Sequence, residues 1–82
     1  MKVYIAFDME GISGVAGGMT GPNPKAPTAY PRAQRFSTDD VKAAIDGVLE
    51  VDKNADIWFN DAHGQSMNVF VEEFPEGVVH PV

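Results

Sequence analysis

Hydrophobic and polar positions fall along this chain in blocks. Val3-Tyr4-Ile5-Ala6-Phe7 is apolar throughout and rich in β-branched and aromatic residues. Such a run, closed by polar residues and glycine, predicts a strand buried on both faces. From Gly11 to Pro31, nine of 21 residues are Gly or Pro, and neither helical nor strand periodicity survives. A connection of that length in a small domain predicts a functional loop or a disordered one. A helix follows, with Ser37 or Thr38 as N-cap and Asp39 and Asp40 at the positive end of its dipole. Val41, Ala44, Ile45 and Val48 stand at i, i+3, i+4 and i+7 and form one apolar stripe. Gly47 interrupts this helix at a cost of about 1 kcal/mol relative to Ala, which suggests close packing against a sheet.

A second strand is predicted around Ile57-Trp58-Phe59, ended by Asp61 and Gly64. Met67, Phe70, Val71 and Phe74 then repeat the helical spacing, with Ser66 as the cap and Pro75 as the stop. Val78 and Val79 open a third strand that Pro81 keeps short. The predicted order is βαβαβ, the signature of an α/β fold with a parallel sheet. Residues 1–82 are expected to form a single partial domain, the N-terminal part of a doubly wound (Rossmann-like) domain.

Composition narrows the function. The chain has 82 residues, 44% apolar and 22% charged, which suits a small globular domain. Its net charge of −6 disfavours phosphate backbones and anionic membrane surfaces, so neither nucleic acid nor membrane is an expected partner. With no cysteine, disulfides, thiolate metal sites and a Cys nucleophile are excluded. No apolar run is long enough for a signal peptide or a span, and the expected compartment is the cytoplasm.

In a parallel sheet the carboxyl ends of the strands share one rim, where ligands bind. The first strand ends in Asp8-Met9-Glu10 and the second in Asn60-Asp61-Ala62-His63. On extended backbone, Asp8 and Glu10 face the same way. Two such carboxylates repel unless a cation lies between them, so with His63 they predict a metal site. Oxygen and imidazole donors suit Zn²⁺, Mn²⁺ or Fe²⁺ better than Ca²⁺. Asp61 is either an outer residue that orients His63 or a turn former. Arg35 is either a surface residue paired to an acid or a fork for a substrate carboxylate. Tyr30 and Arg32 are read as loop residues, His80 as a strand-rim residue, and Trp58 as core. The glycines after the first strand lack the Gly-Lys-Ser/Thr of a phosphate loop, and no helix starts directly behind them.

The string Met1-Lys2-Val3-Tyr4-Ile5-Ala6-Phe7-Asp8-Met9-Glu10-Gly11-Ile12-Ser13-Gly14 resembles the N-terminus of DppA-type D-aminopeptidases. Asn60-Asp61-Ala62-His63-Gly64 is similar to a second segment of that family. The resemblance implies a zinc metallopeptidase that removes N-terminal D-residues from short peptides through a two-zinc site. It implies metal-ligand roles for Asp8, Glu10 and His63, with Asp8 as the bridge, and ring-like homo-oligomers for the complete chain. The family's other ligands and its catalytic histidine lie downstream, so a fragment is expected, with no catalytic residue of its own and weak or absent turnover. Two alternatives stand beside it. One is a non-catalytic remnant or interaction fragment. The other is a Mg²⁺-dependent phosphatase of haloacid-dehalogenase type, with Asp8 as nucleophile.

Overall fold

The computed structural model describes all residues, 1–82. Three strands, β1 (Lys2–Phe7), β2 (Asp56–Asp61) and β3 (Val79–Pro81), form one parallel sheet in the order β1-β2-β3. A single helix, α1 (Ala29–Val51), joins β1 to β2. The α/β class is as expected.

α1 starts eight residues before the predicted caps at Ser37 and Thr38. Pro31 lies in its first turn, where the missing N–H costs no helical bond. Ala33, Ser37, Thr38, Val41 and Ile45 form the buried stripe, so Ser37 and Thr38 are interior helix residues and not caps. Tyr30, Arg32 and Arg35 therefore belong to the helix and not to the loop. Asp39 and Asp40 sit mid-helix, where Asp39 pairs with Arg35 and Asp40 accepts the Ser13 N–H at 3.2 Å. Ala44 is exposed, and Gly47 is exposed with open space where a Cβ would stand. The close-packing reading of Gly47 is thus corrected.

The second predicted helix is absent. Residues 64–70 form turns and irregular backbone, and Val71–Glu73 is a single 3-10 turn. Ser66 has φ 60°, a left-handed conformation incompatible with helix entry. Two nearby backbone donors are taken by side chains instead. The Asn68 N–H donates to Asp61 Oδ2 at 2.6 Å and the Phe70 N–H to Thr38 Oγ1 at 2.9 Å.

Strand burial alternates and does not cover both faces. Val3, Ile5 and Phe7 of β1 and Ile57 and Phe59 of β2 turn toward the core, while Tyr4 is 60% and Trp58 42% exposed. The sheet has α1 on one side only, so Trp58 is not core and instead packs on His80 with ring centres 4.7 Å apart. Phe59 centres the covered side between Phe7 at 6.1 Å and Phe74 at 5.3 Å. Their stacked and edge-on arrangements are favourable aromatic geometries. Pro81 is tolerated because β3 is an edge strand, and the ladder closes with Val82 N–H to the Phe59 carbonyl.

The glycine-rich connection is ordered against the helix. Ile12, Val15 and Met19 pack on the core, and short 3-10 turns span Met9–Gly11 and Gly17–Met19. Gly14 has φ +84° with Phe36 pressed against it, so a Cβ there would be both strained and 3.3 Å from the ring.

Candidate metal centre

The β1–β2 register sets the site. Phe7 pairs with Asp61, so both chains leave the sheet at the same rim, tied by the Ala62 N–H to the Phe7 carbonyl at 3.0 Å. Asp8 continues on extended backbone (φ −136°, ψ 139°). The chain then coils through Met9–Gly11, with the Gly11 N–H on the Asp8 carbonyl and Met9 fully buried as its anchor. Glu10 thus reaches the site from a 3-10 turn, not from the extended i, i+2 alternation expected of it.

His63 meets both carboxylates. Its Nδ1 lies 2.8 Å from Asp8 Oδ1 and 3.1 Å from Glu10 Oε1. One donor atom from each of the three residues falls within 4.8 Å of the others. The opposite ring nitrogen, Nε2, is 2.8 Å from the Thr20 carbonyl. A carbonyl only accepts, so Nε2 carries the hydrogen and Nδ1 is the nitrogen turned to the acids. The carboxylate side chains are 58% and 59% exposed and the imidazole 17%, so the ring is held while the acids face solvent.

The charges are coupled. A hydrogen bond shared with Glu10, then the His63 ring, draws Asp8 below the usual carboxylate range. The Thr20 carbonyl raises His63, helped by Asp8 and Glu10 and opposed by partial burial. A positive charge at Nδ1 is what this constellation favours.

A family model described as D-aminopeptidase, peptidase M55, matches residues 1–80. The chain belongs to that family. It is therefore a member of a peptidase family, and the match favours that chemistry over the phosphatase alternative. No curated protein and no solved structure matches the chain.

Within this D-aminopeptidase family chain, Asp61 is 6% exposed and serves the loop that carries His63. Its Oδ1 accepts the His63 N–H at 3.4 Å and the Asn68 Nδ2 at 2.9 Å. It steadies His63 through the backbone and not through the ring. Asn68 spends its whole amide here: Nδ2 also donates to the His63 carbonyl, and Oδ1 accepts the Tyr30 hydroxyl. Burial, then the Asp61 charge, raises Tyr30 above its ordinary value, so its hydroxyl stays a donor. Arg35 is spent elsewhere. Its guanidinium makes paired bonds to Glu73 at 2.7 and 2.8 Å and two more to Asp39 Oδ1 at 2.8 and 3.1 Å. His80 bonds Asp56 at 2.7 Å on the open side of the sheet.

Thr20, Asn68 and Tyr30 were not among the sequence candidates. Thr20 acts through a backbone carbonyl, which no residue type announces. Asn68 and Tyr30 act through contacts 38 residues apart in the chain, with no motif linking them.

Proposed function

We propose that this chain contributes Asp8, Glu10 and His63 as metal ligands to a zinc-dependent aminopeptidase that hydrolyses short peptides bearing an N-terminal D-residue. One observation carries the reading: His63 Nδ1 points between two carboxylates while Nε2 is committed to the Thr20 carbonyl. Ligating histidines are typically oriented in this way, by donating the other ring N–H to a fixed acceptor. The donor set of two oxygens and one imidazole suits Zn²⁺. A proton on Nδ1 is one cation that satisfies both acids, and a divalent ion is another, so the two compete for the same place.

A zinc ion held there would supply Lewis acidity toward a scissile carbonyl and a bound water. The chain's own groups do the holding. Asp8 and Glu10 neutralise the cation, His63 supplies the neutral donor, and Thr20 fixes the ring. The three residues would offer a single ion one imidazole nitrogen and two carboxylate oxygens. A two-ion centre, with Asp8 as the bridge, needs donors beyond these three. The peptide is the expected partner.

Zinc content and thermal shift test the reading. Zinc is expected to raise the melting midpoint of the wild-type chain. Asp8→Ala and His63→Ala are each expected to weaken zinc affinity by about tenfold or more. Equal zinc responses in all three proteins would overturn the assignment.

A further inference from the structure

The two edges of the sheet are unlike. A sheet edge offers unpaired N–H and C=O groups to any further strand, and proteins usually blunt it. β3 is blunted: it has three residues, and Pro81 has no N–H to give. β1, the other edge, is not. It has six residues, no proline and no glycine, and Lys2 is its one charged residue. The Met1 carbonyl takes the Asp56 N–H and the Phe7 carbonyl takes the Ala62 N–H, so the odd-numbered residues of β1 bond to β2. Backbone groups alternate in direction along a strand, so those of Lys2, Tyr4 and Ala6 point outward at the free edge. No turn or loop bonds to them. Val3 and Ile5 lie on the covered side of the sheet yet are only half-buried, which leaves their outer flank open.

We infer that β1 is an interface for a second copy of this chain, paired antiparallel across a two-fold axis at Tyr4 to give one continuous sheet. The edge is self-complementary in this arrangement. Lys2 meets the partner's Ala6, Tyr4 meets the partner's Tyr4, and each such pair exchanges both of its backbone bonds. Val3 stands opposite the partner's Ile5, which closes the open flank of both copies. Charge selects the direction. Lys2 lies at one end of the edge and the exposed Asp8 just beyond the other. Antiparallel copies bring each Lys2 diagonal to the partner's Asp8, within reach of a long side chain, whereas parallel copies set like charges together. The blunted edge of β3 gives a third copy no comparable strand to pair with, so the assembly closes at two.

Analytical ultracentrifugation and amide hydrogen exchange of the 82-residue chain test the interface. The mass is expected to rise from 8.9 kDa toward twice that value, and no further, as concentration goes from about 1 μM to about 1 mM. Over that range amide exchange at Lys2, Tyr4 and Ala6 is expected to slow, while Val3, Ile5 and Phe7 stay protected throughout. Ala6→Lys sets a like charge opposite the partner's Lys2 and is expected to weaken association about fivefold or more. Adding Lys2→Glu to that variant is expected to restore it, because the facing charges are then opposite. Both positions are exposed, and circular dichroism checks that each variant keeps α1. A mass fixed at 8.9 kDa across the range overturns the interface. So does association that leaves exchange at residues 2, 4 and 6 unchanged, or that Ala6→Lys does not weaken. A mass that grows past two copies overturns the closed pairing.

Discussion

Two segments of this chain carry the same apolar spacing, and only one is a helix. Val41, Ile45 and Val48 lie on α1, while Met67, Phe70, Val71 and Phe74 lie on turns and one 3-10 turn. The difference is where the backbone N–H groups go. In α1 no polar side chain outside the helix competes for them, and the ladder runs unbroken for 23 residues. In residues 64–74, Asp61 and Thr38 capture two donors, and Ser66 turns the wrong way for helix entry. Spacing declares that a segment has an apolar side. Which backbone bonds it makes depends on the competition its surroundings offer.

The comparison can be broken most sharply at Asn68. Asn68→Ala removes one donor to the buried Asp61, the tie to the His63 carbonyl and the acceptor for Tyr30. A buried carboxylate left short of a partner is expensive, so a loss of about 2–3 kcal/mol is expected in denaturant unfolding. Zinc affinity is expected to fall with it, because the loop carrying His63 loosens. A variant as stable as wild type would show that the turn segment holds without its side-chain bonds.

A smaller effect of opposite sign is expected in the helix. Gly47 is exposed, with nothing within 4 Å of an added Cβ. Gly47→Ala is expected to stabilise the chain by about 1 kcal/mol, read as a higher urea midpoint at unchanged slope. A destabilised variant would mean that this turn of α1 needs the glycine for a reason its backbone does not reveal.

The smallest effect concerns the ionic tie between the two segments. Arg35 and Lys42 of α1 hold Glu73, and these two partners, Arg35 foremost, pull its carboxyl down to about 2. A carboxylate depressed in the folded state adds stability above its unfolded value of about 4.3 and loses it as pH falls through the folded value. Glu73→Gln is therefore expected to melt slightly below wild type at pH 7, with the gap closing between about pH 4.3 and pH 2. A gap independent of pH would assign the contribution of Glu73 to packing.

The two sides of the sheet make a related point. Continuous apolar runs predicted strands covered on both faces, yet Tyr4 and Trp58 lie on an open face. A run such as Ile57-Trp58-Phe59 gives both faces of a strand apolar side chains. It does not supply the element that must cover each of them.

The meeting of Asp8, Glu10 and His63 was the most legible part of the site, because acids and histidine at strand ends need only the parallel register to meet. The path taken by Glu10 was not legible, since the 3-10 turn at Met9–Gly11 depends on Met9 finding a buried place. Neither was the length of α1. Proline and glycine near residues 21–31 read as loop, but Pro31 is harmless in a first turn that has no helical partner for its N–H.

By itself, the sequence determined the α/β class, the three strands, the helix that joins the first two, and the residue types able to hold a cation. Those follow from local burial patterns and side-chain chemistry, which a linear chain carries in full. Only the tertiary structure decided which donors bond to which acceptors: the imidazole to Thr20, Asn68 to Asp61, Phe70 to Thr38. The first and third join residues 43 and 32 positions apart in the chain, contacts that local burial patterns do not record.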